Sequence, residues 1–199
     1  IETEPNPMTT TVQIQARLSS SRLPGKVLYP LGSRRILGWV IERTKRAEQP
    51  TGIVLTVGDR PENDAIREWC DRHDVPYSSG PEDDLLERHS LAAAMMDSDP
   101  VVRVTGDCPF VPPSEIDRIT EEHKQNDAQY TTNLTEEMPI GTAVDAIDRD
   151  VFDELRELRD SHPVRRLREN PEEWDVVVTP HEQWTAVGEA HTAVDPPAD

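Results

Sequence analysis

Lysine is almost missing from this chain. Lys26, Lys45 and Lys124 are the only three in 199 residues. Positive charge as a whole is scarce, with 21 basic residues against 39 acidic ones and a net charge of −18. A nucleic-acid backbone needs a basic face, so a DNA or RNA partner is excluded. Cysteine is scarce too: Cys70 and Cys108 stand far apart without CxxC spacing, which argues against a zinc site and a disulfide framework. Six scattered histidines, His73, His89, His123, His162, His181 and His191, suggest no metal cluster. No apolar stretch is long enough for a membrane span, and no secretory signal pattern precedes the first apolar run. The expectation is a cytoplasmic protein without a membrane partner.

Low hydrophobicity with high charge can mark a disordered chain. Here apolar runs recur at Val12–Ala16, Ile53–Val57, Val101–Val104 and Val176–Val178, which a disordered chain lacks. The length suits one domain with a real core. Residues 1–8, polar and broken by proline, are expected to form a flexible extension. A single domain is expected over 9–199, with 9–127 and 128–199 as its two parts. The acid is spread along the chain and resembles the surfaces of extreme halophiles. Salt near 1 M shortens the Debye length to about 3 Å and screens such self-repulsion. The melting temperature is therefore expected to rise from dilute buffer to molar KCl; an unchanged value counts against a salt-adapted surface.

The rare lysine directs attention to VQIQARLSSSRLPGK, Val12 to Lys26. A strand-like run ends in a loop carrying Arg17, Ser19, Ser20, Ser21, Arg22 and Lys26. Hydroxyls and turn N–H groups donate to phosphate oxygens, and three cations balance a polyphosphate. Downstream, periodicity predicts helices over 36–47, 63–73, 82–96 and 114–125, with Asn63 and Ser114 as caps. Glu82, Asp83 and Asp84 suit a helix N-terminus. Short strands are expected at 75–77, ended by Ser78-Ser79-Gly80-Pro81, and at 101–105. Alternating strands and helices argue for a mostly parallel sheet with helices on both faces and ligands outside the strands' carboxyl ends. The second half is less regular. Residues 129–132, 143–147, 175–179 and 192–194 look extended; 151–158 and 164–169 look helical. Arg103 alternates away from the core and is expected at the surface or an edge. His162 suits a turn or the active site equally, and Trp174 and Trp184 suit packing.

Two carboxylates stand at strand tips. Asp107 follows VVRVTG, and Asp195 follows HTAV. Side by side they would hold Mg²⁺, which takes hard oxygen ligands and shares them with substrate phosphates. Spacing alone does not place them together.

The segments ARLSSSRLPGKVLYPLG, SSGPEDDLLERH, VVRVTGDCPFVPP, IGTAVDAID, SHPVRRLRENP and AVDPPAD follow one another in this order. In this the chain resembles cytidylyltransferases of the spore-coat-polysaccharide type, related to acylneuraminate and 3-deoxy-manno-octulosonate cytidylyltransferases. The resemblance covers Val12 to Asp199. It implies a Rossmann-like α/β fold of the nucleotide-diphospho-sugar transferase type, with CTP as donor, Mg²⁺ as cofactor and a sugar or sugar acid as acceptor. By matching positions, Arg17, Ser20, Arg22 and Lys26 would hold the triphosphate, with Lys26, Arg17 and Arg22 acting in catalysis. Asp107 and Asp195 would hold the metal. Ala16, Ser79, Glu82, Arg88 and Thr105 would complete the nucleotide site, and Asn133, Gly141 and Asp145 would face the sugar. A homodimer is also implied.

Two departures stand out: serine at Ser19, where the family usually has glycine, and an end soon after Asp195. Alternatives of other kinds are a guanylyl- or uridylyltransferase of the same fold, which usually opens with a glycine pair after the alanine, and a non-catalytic nucleotide-binding paralogue.

Overall fold

The computed structural model describes residues 9–20, 23–181 and 190–194. Nine strands occur in it: β1 (Thr9–Ala16), β2 (Pro30–Leu31), β3 (Arg34–Arg35), β4 (Gly52–Gly58), β5 (Tyr77–Gly80), β6 (Ser98–Thr105), β7 (Tyr130–Thr132), β8 (Asp145–Ile147) and β9 (Val176–Val178). The helices are α1 (Ile36–Thr44), α2 (Asp64–Arg72), α3 (Leu85–Met96), α4 (Pro113–Asn126), α5 (Arg149–Glu157) and α6 (Arg165–Glu169). Seven strands form one sheet in the order β5-β4-β1-β6-β8-β7-β9, and β2 and β3 pair as a small hairpin. Within the seven, only β8 runs against its neighbours. No helix among the described residues is long and apolar enough to cross a membrane.

This order positions the site. From β1 the chain moves outward through β4 to β5, then returns to the other side of β1 as β6. The order therefore reverses between β1 and β6, where diverging connections leave a crevice at the strands' carboxyl ends. The described residues of the loops after β1 and β6, 17–20 with 23–25 and 106–109, open there.

Strand alternation sorts β1 onto two different faces. Val12, Ile14 and Ala16 join Leu37, Val40, Leu55, Ile116 and Ile119 in a continuous apolar core. Gln13 and Gln15 face the other way, toward α3. Gln13 Oε1 lies 2.6 Å from His89 Nδ1. Farther along that face, Leu86, Tyr130, Ile147, Phe152 and Leu155 build a second apolar cluster. Between the two runs a buried polar seam.

Arg103 lies in this seam, contrary to the surface position expected of it. It is 7 % exposed. Its Nε donates to Gln15 Oε1 at 2.9 Å and its Nη1 to Asp145 Oδ2 at 2.7 Å. Alternation misleads here because helices cover both faces of a parallel sheet, so neither side of β6 is solvent.

Other expectations shift for similar reasons. The short strand runs over Tyr77–Gly80 rather than 75–77, since pairing with Leu55–Gly58 of β4 outweighs the weak strand propensity of serine and glycine. α4 begins at Pro113 with Pro112 at its cap, placing Ser114 inside the first turn. α3 begins at Leu85 rather than at 82, and Asp84 caps it by accepting from the Glu87 N–H at 2.9 Å. Residues 192–194 lie beside a single bridge between Ile140 and His191 rather than in a strand.

Candidate active site

The crevice is a cleft of about 430 Å³. Gln15, Ala16, Arg17, Ser20 and Lys26, from β1 and the loop after it, line it together with Glu82, Arg88, Ser161, His162 and Arg165, and Asp107 adjoins Lys26. Gly25 turns the chain at φ +75°, a conformation glycine tolerates best, and sends it into the turn that carries Lys26. Lys26 is 6 % exposed, and its Nζ lies 2.5 Å from Asp107 Oδ2. The rare lysine of the β1 loop and the carboxylate after β6 thus meet across the switch point.

Asp107 also anchors the last described segment. Val194 N–H donates to the Asp107 carbonyl at 3.0 Å. Asp195, the next residue, lies outside the described residues, as do Ser21, Arg22 and Trp184. Asp107 fits a hard divalent cation: a carboxylate only partly enclosed, with one oxygen paired to Lys26 and the other bonded only weakly, by the Cys108 thiol at 3.6 Å. Among the described residues no group of three His, Cys, Asp or Glu side chains converges as a metal site. A metal here would take its remaining ligands from phosphate, water or the segment after Val194.

Ser19 has a structural partner. Its hydroxyl donates to Glu82 Oε1 in a short hydrogen bond. Asn63 Nδ2 donates to Glu82 Oε2 at 2.7 Å, and Asn63 Oδ1 accepts from Leu18 N–H at 2.8 Å. Asn63, expected as a helix cap, makes no cap hydrogen bond and instead ties the β1 loop to Glu82. Gly58 makes room for this brace, since a Cβ there would lie 1.7 Å from Glu82 Oε2. Burial pushes the Glu82 carboxyl up, but the bonds from Ser19 and Asn63, with the charges of Arg88 and Arg17, outweigh it and hold it below its ordinary value.

Ser19→Gly is expected to lose about 1 kcal/mol of stability, the worth of one such bond. Turnover is expected to stay within about threefold, or ~0.6 kcal/mol of barrier. Thermal melts and pyrophosphate assays on the purified variant check both; a hundredfold gain in rate would show that serine restrains activity.

Arg88 is suited to meet an anion. It is 3 % exposed, and its Nε and Nη1 are buried without a partner among the described residues. Buried guanidinium donors are costly to leave unpaired, and an oxygen-rich anion in the cleft would satisfy them. Burial lowers the Arg88 pKa, with Glu82 opposing.

The remaining expected residues divide clearly. Arg17 and Ser20 line the cleft, and Ser20 Oγ also accepts from Leu23 N–H at 3.3 Å. Thr105 ends β6, its hydroxyl 2.7 Å from Cys108 Sγ. Ser79 lies in β5 beside Val57 and is not among the cleft residues. Asn133 is fully buried: its Nδ2 donates to Glu115 and the Thr142 carbonyl, and its Oδ1 accepts from Val144 N–H. Gly141 lies against Thr192 and Ala193. Asp145 is fully buried, bonded to Arg103, Tyr130, Thr132 and Arg168. None of these last three lines the cleft. Gln15, Ser161, His162 and Arg165 do, and of these the sequence reading had raised only His162. The available signal for Gln15 was a polar residue in an otherwise apolar strand just before the phosphate-type loop.

The cleft holds this lysine–carboxylate pair, and comparison with known proteins decides the family. The cytidylyltransferase family model matches residues 11–178. The chain belongs to the cytidylyltransferase family. It is 30% identical over 166 residues to the spore coat polysaccharide biosynthesis protein SpsF of Bacillus subtilis, a match spanning 79% of this chain and 69% of that protein. Against a 3-deoxy-manno-octulosonate cytidylyltransferase of Photobacterium profundum it is 34% identical over 131 residues, 63% of this chain but only 50% of the relative. A solved cytidylyltransferase from Leptospira borgpetersenii superposes with a TM-score of 0.87 at 26% identity, covering 95% of this chain and 82% of that one. The mostly parallel sheet is thus the sheet of this family, as the motif order implied.

Proposed function

We propose that this cytidylyltransferase-family chain transfers CMP from CTP to a hydroxyl of a sugar or sugar acid for surface glycan or glycoconjugate synthesis. The observation that carries the reading is the Lys26–Asp107 pair at the β1/β6 switch point, in the same cleft as Arg88, two of whose buried donors have no partner among the described residues. Arg17, Ser20, Lys26 and Arg22 bind the triphosphate. Ala16, Glu82 and Arg88 hold the nucleoside. Asp107 and Asp195 hold Mg²⁺, which when bound supplies charge neutralisation of the phosphates. Asp145 supports the cleft from beneath through Arg103, which donates to Gln15.

The sugar oxygen bonds to the α-phosphorus of CTP, the bond to the bridging oxygen breaks, pyrophosphate leaves and the hydroxyl proton is lost to solvent. Lys26 and the arginines stabilise negative charge on the transferring group and the leaving pyrophosphate, so this chain's contribution is positioning and electrostatics. The test is pyrophosphate release at high salt, with CTP, GTP and UTP each offered against a panel of sugar acids and sugar phosphates. Release only with CTP is expected. Preference for GTP or UTP would overturn the nucleotide assignment, and CTP binding without product would favour a binding-only paralogue.

A further inference from the structure

Acidic residues are spread along the chain, yet none of its 39 falls between positions 5 and 41. The β1 loop accounts for only part of that stretch. Beyond it, from Tyr29 to Arg46, five basic residues, Arg34, Arg35, Arg43, Lys45 and Arg46, stand beside one acid, Glu42. The fold gathers most of them on one outer surface. Arg35, Trp39, Glu42 and Arg46 are spaced by four, three and four, which is one face of α1 and the turn that follows it. Arg34, from the β2–β3 hairpin, lies over the Trp39 ring, its guanidinium carbon 5.5 Å from the ring centre. Glu42 Oε2 stands 3.7 Å from Arg34 Nη2, and Glu42 Oε1 stands 3.2 Å from Arg46 Nη2. One carboxylate is thus shared by two guanidinium groups whose side chains are 51% and 61% exposed. Trp39 Nε1 donates to the Leu31 carbonyl at 2.7 Å, and Arg35 Nη1 donates to the Leu28 carbonyl in a short hydrogen bond. Arg34 and Arg35 are therefore held in place. Exposed ion pairs contribute little to stability, so the fold itself does not require this cluster.

We propose that this face, Arg34, Arg35, Trp39 and Arg46 with the exposed Tyr29 of the same hairpin, docks an acidic segment of a partner protein. The proposal is independent of the nucleotidyl-transfer reading. Guanidinium forks match carboxylates, and tryptophan, tyrosine and arginine dominate interface energies. The acid elsewhere on the chain repels such a segment and leaves this face as its landing place. A second copy fits poorly, since a two-fold contact through this face sets like charges together. A lipid surface fits poorly as well. Trp39, the largest apolar side chain of the face, turns its N–H in toward Leu31 and lies under Arg34 rather than out toward acyl chains. The hairpin also springs from a cleft-lining segment: Tyr29 N–H donates to the Lys26 carbonyl at 2.9 Å, and Ile36 N–H to the Tyr29 carbonyl at 3.0 Å. The docked segment therefore adjoins the turn that carries Lys26.

The test titrates the ¹⁵N-labelled full chain with an octaglutamate peptide, following the Trp39 indole N–H resonance and measuring affinity by calorimetry. The Trp39 resonance is expected to move and saturate. Arg34→Glu with Arg46→Glu is expected to weaken binding at least about tenfold. Arg149→Glu with Arg156→Glu makes the same change in net charge on α5, where Asp97, Asp153 and Glu87 pair with the two arginines. That pair is expected to change affinity by less than about twofold. Arg34→Gln with Arg46→Gln places no new carboxylate beside Glu42 and carries the test if the reversed chain does not fold; it is expected to weaken binding at least about threefold. Phosphatidylglycerol–phosphatidylcholine vesicles and sedimentation of the chain alone are run alongside. The proposal is overturned if the peptide leaves the Trp39 resonance unmoved, or if the α5 pair weakens binding as much as the α1 pair. It is also overturned if vesicle binding or self-association, rather than peptide binding, depends on Arg34 and Arg46.

Discussion

Lys26→Ala is expected to cut pyrophosphate release from CTP plus sugar at least about a hundredfold, or ~3 kcal/mol of barrier, the scale of losing one preorganised charge-stabilising donor. The effect is large because the ammonium is enclosed. At 6 % exposure it acts through protein rather than bulk water, where an equal charge would be heavily screened. Asp107 holds it at 2.5 Å, so it is already in place before the phosphates arrive. Asp107→Ala is expected to lose as much, removing both the partner of Lys26 and the described carboxylate suited to the metal. Far-ultraviolet circular dichroism and the melting transition should show both variants folded, since neither residue belongs to the apolar cores. Wild-type turnover in purified Asp107→Ala would sink the metal assignment.

Asp145→Ala is expected to damage the fold rather than the chemistry, by ~3–5 kcal/mol, the range for breaking a buried ion pair. For a domain of this size that lowers the melting temperature by roughly 10 °C. The carboxylate is fully buried, with Arg103 at 2.7 Å and Arg168 at 2.6 Å. Removing it strands two guanidinium groups against each other in the seam. Burial alone would push its carboxyl up; Arg168, then Arg103, and the Tyr130 hydroxyl overcome this and hold it at about 2. A carboxyl depressed on folding stabilises the native state above its unfolded value near 4 and loses that contribution as pH falls through about 2. Denaturant melts from pH 5 to 2 should show wild type losing stability across that window, with Asp145→Asn flatter there. Parallel curves would show that Asp145 is not held as a carboxylate.

Much of the site was legible in sequence because its signals are local. Arg17, Ser20, Gly25 and Lys26 lie within one loop, and a rare lysine beside a Pro-Gly turn is visible without any contact. Asp107 shows itself by following a buried strand. Local pattern failed where a residue's role depends on a distant partner. Ser19 read as one more phosphate donor or as a departure from glycine; its hydroxyl instead holds Glu82, 63 positions away. Asn63 read as a helix cap and is a brace between two loops. Arg103 read as exposed because alternation counts one covered face, whereas this strand has two.

By itself, then, the sequence determined the alternation of strands and helices, the loop after β1 with its rare lysine, the carboxylate after β6 and, through the order of its motifs, the family. These follow from spacing along the chain, which periodicity and turn chemistry encode directly. Only the tertiary structure decided that β6 returns beside β1 and brings Asp107 to Lys26, and that the polar face of β1 is buried under α3. It also showed Asp145 buried between Arg103 and Arg168. The reason is physical: hydrogen bonds and ion pairs are short-ranged, and which groups come within reach is set by the winding of the sheet.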